Sequence, residues 1–162
     1  MRFAAILFMT LSGLLLTLAA SADTATCSEA AGLSLTMTNR LTEIVGKHRI
    51  GYGVFELANH GAQLVTVLGV RRNGRFYADF PSAHLQTSVS KGPWTNQMLP
   101  GAHVTPPDKL FVKPGDRSEL LAVTTLESTN PLAKNHGAQL RVVVNLLPPL
   151  SCGLPSDPFD SY

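Results

Sequence analysis

From Leu33 to Leu146 the chain is a succession of short apolar segments cut by glycine, proline and asparagine, and this rhythm constrains the fold more than any other feature. Leu33-Ser34-Leu35-Thr36-Met37-Thr38 alternates apolar and polar with period two, as a half-buried strand does. Ile50 to Leu57 reads as a second strand, in which Gly51 and Gly53 mark a bulge or the close approach of another backbone. Gln63 to Arg71 is apolar nearly throughout, the pattern of a strand buried on both faces. Asn73-Gly74 then supplies the two positive-φ positions of a type I′ turn, between Val70-Arg71-Arg72 and Arg75-Phe76-Tyr77-Ala78. Leu85 to Val89 reads as a short edge strand. The prolines 93, 100, 106 and 107 that follow exclude a central strand or a regular helix between Lys91 and Asp108. Leu110-Phe111-Val112 leads into Lys113-Pro114-Gly115-Asp116, with Pro and Gly where a type II turn requires them. Glu119 to Leu126 resumes strand character. Leu140 to Leu146 is the last strand, with Leu140, Val142, Val144 and Leu146 on one face, ended by Pro148 and Pro149. The one helical stretch, Arg40 to Gly46, is too short to stand as an element.

These segments predict an all-β chain, a single antiparallel β-sandwich of about seven to nine strands, with a closed barrel as the rival architecture. Parallel α/β is disfavoured because no amphipathic crossover helices separate the strands. The stretches Phe55-Glu56-Leu57-Ala58-Asn59-His60-Gly61 and Leu110-Phe111-Val112-Lys113-Pro114-Gly115-Asp116 resemble strand-and-turn phrases of bacterial immunoglobulin-like domains. The resemblance spans residues 50–147 and rests on generic motifs. It implies a sandwich fold and carries over no catalytic residue, since such folds host binding, structural and enzymatic roles alike.

The first 22 residues place the chain. Met1-Arg2 is a short positive start, Phe3 to Ala19 an apolar run, and Ala20-Ser21-Ala22 a small-x-small cleavage site. The reading is a cleaved signal peptide over 1–22, against the competing reading of a membrane anchor. A β-sandwich domain over 23–152 and a mobile tail over 153–162 complete the organisation. Removing Arg2 takes the net charge from +2 to +1. A nearly neutral domain lacks the basic stripe of a general nucleic-acid binder, and no second apolar segment is long enough to span a bilayer. The two cysteines, Cys27 and Cys152, bracket almost the whole domain. In an exported chain an even count favours a disulfide. The alternative, acylation of Cys27, needs small residues that Thr24-Ala25-Thr26 does not supply.

Chemistry is sparse. No nucleophile elbow, zinc-helix motif, phosphate loop or Cys-x-x-Cys occurs. His84 with Asp79 and Ser82 is the closest local cluster. Asn59-His60-Gly61-Ala62-Gln63-Leu64 recurs letter for letter as Asn135-His136-Gly137-Ala138-Gln139-Leu140. One reading pairs His60 and His136 as ligands; the other makes both copies turns that use the tolerance of Asn and Gly for positive φ. For copper or zinc the candidate ligands are Met98, His103, His60 and His136, without the His-x-His or dense Met/His clustering of such sites. Two stretches suit recognition. Gly92 to Pro100 carries Trp94 and Met98 on a proline-stiffened loop, where Trp94 either anchors a partner or plugs the sandwich. Arg71, Arg72 and Arg75 surround the Asn73-Gly74 tip, either to meet an anionic partner or as a solvated turn that protects an edge. The expectation is therefore a periplasmic or secreted, non-enzymatic binding or accessory module of the bacterial envelope. It needs no cofactor and meets another envelope or secreted protein. A metal-binding protein is the second reading and a small secreted enzyme the third.

Overall fold

The computed structural model describes residues 27, 32–78, 81–97, 108–126 and 138–160. They form eleven strands and no helix: β1 (Leu33–Val45), β2 (His48–Asn59), β3 (Val65–Arg72), β4 (Arg75–Tyr77), β5 (Ala83–Val89), β6 (Thr95–Gln97), β7 (Asp108–Val112), β8 (Arg117–Leu126), β9 (Ala138–Asn145), β10 (Gly153–Pro155) and β11 (Phe159–Asp160). One sheet has the order β1-β2-β8-β4-β3-β7 and the other β10-β9-β5-β6, with β11 also on β9. All pairings are antiparallel except where β4 meets β8 at Tyr77↔Leu121. The sheets do not close into a barrel; they are the two layers of a β-sandwich.

Period-two alternation builds the core. Leu140, Val142, Val144 and Leu146 point inward as their spacing requires, against Phe55, Leu57, Val65, Val67, Val112 and Leu120 of the other sheet. Each such side chain contributes about 1.5–3 kcal/mol relative to exposure. Local turn chemistry is equally direct. Asn73 and Gly74 have φ of 49° and 78°, joining β3 to β4. Gly115 has φ 85°, and Asp116 N–H donates to Lys113 O at 3.0 Å. The pairing of β2 with β8 shifts register between Gly51 and Tyr52, and a Cβ on Gly51 would collide with Thr125 Oγ1.

Arg40 to Gly46, too short to stand as a helix, is the end of β1, which stays paired with β2 as far as Val45↔His48. Several expectations are corrected. Leu85 to Val89 is no edge: β5 lies between β9 and β6, and the proline-rich stretch supplies the edge strand β6. The tail is paired, with Gly153↔Asn145 and Phe159↔Leu140, and the Phe159 ring lies 6.2 Å from Phe55. Strand number rises above nine because β6, β10 and β11 are pieces of two or three residues with no alternation to read. Finally, β3 is not covered on both sides, since Leu68 and Val70 on its outer face remain half-exposed.

Cys27 and Cys152 stand at disulfide distance, with Cα atoms 5.4 Å apart. Cys27 N–H donates to Gly153 O at 2.9 Å and Leu146 N–H to Cys152 O at 2.8 Å, so the pair extends the β9–β10 region. Residues 1–22 and the cleavage triplet lie outside the described residues. Among those described, no helix is long and apolar enough to cross a membrane.

The outer face of the six-stranded sheet is also apolar. Tyr52, Val54, Tyr77 and Leu121 form a second buried cluster, with Tyr52 and Tyr77 edge to face at 5.3 Å. Tyr77 Oη donates to Glu43 Oε1 at 2.7 Å. In a flat sheet three strand spacings would hold β1 and β4 about 14 Å apart. The β1–β2 hairpin therefore coils over the face, helped by the Met37/Asn39 and Gly51/Tyr52 irregularities.

Candidate functional site

Among the described residues, a connected polar arrangement lies on the outer face of the smaller sheet. With Leu85 and Val142 turned inward, β5 presents His84 and Gln86 outward and β9 presents Arg141 and Val143. The register sets Gln86 between Arg141 on one side and Asn96 of β6 on the other. Gln86 Nε2 donates to Asn96 Oδ1 at 2.8 Å, and Gln86 Oε1 accepts from Arg141 Nε at 2.8 Å. Held by that bond, the guanidinium lies over Trp94, with Cζ 4.3 Å from the ring centroid. Trp94 is half-buried. Its approach is fixed by a tight turn in which Ser90 and Lys91 have φ of 52° and 59°, Gly92 N–H donates to Val89 O, and Ser88 Oγ donates to Gly92 O at 2.6 Å.

Electrostatics follow from partial burial. Burial lowers the Arg141 pKa from its ordinary value. Burial, and then the nearby Arg141 charge, lowers that of His84 below the ordinary 6.5. A histidine with a depressed folded-state pKa opposes protonation in the native state only. Its contribution is therefore complete above pH 6.5 and is lost as pH falls from there towards the folded-state value. The urea midpoint should drop over that interval, and His84→Gln should remove this part of the slope. A slope unchanged in the variant would place the titrating group elsewhere.

The other sequence candidates are distributed over the molecule. The three hairpin arginines split: Arg71 lies over Phe76 and Arg72 over Tyr77, each 5.5 Å from the ring centroid. Arg75 Nη1 is 3.9 Å from Glu43 Oε1 on the outer face, where burial and then Glu43 raise the Tyr77 pKa. Met98, His103, His136 and Asp79 lie outside the described residues. His60 is exposed, beside a cavity of about 380 Å³ lined also by Gly32, Asn59, Gln63 and Leu150. Among the described residues no three His, Cys, Asp or Glu side chains group as metal ligands.

The first Asn-His-Gly turn works differently from its sequence rationale. Neither Asn59 nor Gly61 has positive φ. Instead Asn59 is fully buried, its Nδ2 donating to Gln63 O at 2.7 Å and Val112 O at 2.9 Å, its Oδ1 accepting from Gly61 N–H at 3.0 Å. Sequence reasoning missed this role, and it missed Arg141, Gln86 and Asn96. A signal for Arg141 was present: a cation alternating with Leu140 and Val142 must face outward, beside an apolar Val143 that is itself buried.

The chain matches no protein-family model, no curated protein and no solved structure.

Proposed function

We propose that this chain is an exported, non-enzymatic binding module of the cell envelope, periplasmic or secreted, which meets another protein through the Trp94–Arg141 face. The observation that carries the reading is the Trp94 ring stacked under a guanidinium that Gln86 already holds in place. Trp and Arg are the side chains that most often dominate binding energy, and prior ordering reduces the entropy lost on association. Export is supported by the apolar leader with its cleavage triplet and by a cysteine pair at disulfide distance, which an oxidising compartment preserves.

A photo-crosslinking amino acid at exposed position 93, beside Trp94, in the chain expressed with its own leader, should give one adduct of discrete mass. Trp94→Ala should cut the adduct yield about tenfold, the loss of one strong anchor. Its fold should weaken by only about 1 kcal/mol, the worth of a partly exposed cation–π contact. A loss of several kcal/mol would show Trp94 to be part of the core. Absence of any adduct overturns the reading. So does a copper or zinc ion retained in native mass spectrometry and lost on substituting His103 or His136.

A further inference from the structure

The outer face of the larger sheet is left open at its β7 end. On β7, Leu110 and Val112 turn inward while Lys109 and Phe111 face out, and Lys113 continues the outward series just beyond the strand. Phe111 is 55 % exposed. It stands opposite Thr66, with Leu68 opposite Lys109, so Leu64 and Leu68 flank it diagonally; Leu64 is 42 % exposed. Half-exposed Val70 continues the strip towards Tyr77, where the coiled β1–β2 hairpin begins to cover the face. The outer face of β3 is mixed: Thr66, opposite Phe111, is buried, while Leu68 is half-exposed and Leu64 and Phe111 are exposed. β7 is also the last strand of its sheet, and none of the described strands pairs with its outer edge.

We infer that this edge and the Leu64–Leu68–Phe111 strip receive an extended segment of another protein. That segment carries an apolar side chain with an acidic residue two positions to either side. Adding a strand to a sheet edge supplies main-chain hydrogen bonds, while alternate side chains give specificity. The two-residue repeat of a strand, about 6.7 Å, matches an Glu-x-Leu-x-Glu phrase to Lys109, Phe111 and Lys113. The nearby acids lie off that row: Asp108 alternates to the opposite face of β7 from Lys109 and Phe111, where its Oδ2 accepts from Arg71 N–H at 2.8 Å, and Asp116 belongs to the following turn. A second copy of this chain fits poorly, because antiparallel pairing centred on Phe111 would set each Lys109 against the other copy's Lys113. This inference does not rest on the Trp94 face, which lies on the other sheet.

The test uses the full chain and two labelled peptides, Thr-Glu-Thr-Leu-Thr-Glu-Thr and its Lys counterpart, followed by fluorescence anisotropy. The Glu peptide should bind saturably, at least tenfold more tightly than the Lys peptide. Phe111→Ser should weaken it at least tenfold, and Lys109→Glu with Lys113→Glu should reverse the preference. Methylating alternate peptide amides should abolish binding, as strand pairing requires. Trp94→Ala should leave the affinity unchanged; a fall there would move the peptide to the other face and overturn the assignment. Three further results overturn it: no saturable binding, binding indifferent to Phe111→Ser, or a dimer in sedimentation equilibrium that Phe111→Ser dissociates. Uptake on phosphatidylglycerol vesicles without peptide binding would make the strip a membrane contact instead.

Discussion

Replacing Cys27 and Cys152 together by serine is expected to lower the unfolding free energy by about 4–5 kcal/mol. The pair is separated by 125 residues in sequence, so its loss frees nearly the whole domain in the unfolded state. Domains of this size are stable by only about 5–15 kcal/mol, so the variant should lie close to its unfolding threshold. The native state loses little by comparison. Cys27 N–H still reaches Gly153 O, and β10 still pairs with β9, which keeps both ends near the core. Urea denaturation of wild type with and without a thiol reductant should reproduce the same gap, and the double variant should not respond to reductant. Equal midpoints throughout would mean that the β9–β10 ladder alone holds the chain ends.

The second large effect is expected at Asn59. Asn59→Ala removes a side chain that joins three backbone groups: the Gln63 and Val112 carbonyls and the Gly61 N–H. The main chain of the same residue joins the turn before β8, donating to Asp116 O at 3.0 Å and accepting from Gly115 N–H at 2.7 Å. Loss of three hydrogen bonds in a buried corner costs about 3 kcal/mol. The next residue is the control: His60 is exposed, and its N–H donation to Gly32 O survives truncation, so His60→Ala should stay within about 0.5 kcal/mol. If His60→Ala proved as damaging as Asn59→Ala, the imidazole rather than the amide would organise this corner.

These two positions also show where a sequence stops being informative. The cysteine pair was legible because two cysteines in a chain read as exported leave one intramolecular partner for each. Asn59 was legible as a turn residue but not as a clamp, since its acceptor at Val112 lies 53 positions away. The Trp94 face follows the same rule. Trp94 itself stands out, yet the group that orders it arrives from β9, and the Gln86–Arg141 bond spans 55 positions. Phe111 was visible only as one letter in an apolar triplet. Its exposure depends on how far the coiled β1–β2 hairpin reaches across a sheet whose strand order no local pattern encodes.

The sequence by itself determined the strand character and the tight turns. A period of two sorts side chains to two faces wherever it occurs, and Asn73-Gly74 and Pro114-Gly115 impose their dihedrals through steric limits within a few residues. Tertiary structure alone decided which strands became neighbours, that β5 is interior and β6 an edge, that the tail is paired, and which part of the outer face stays open. The physical reason is that backbone hydrogen bonds between strands are chemically alike for nearly every residue. Partner choice rests instead on burying the most apolar area at once, a property of the assembled sheets and of no single segment.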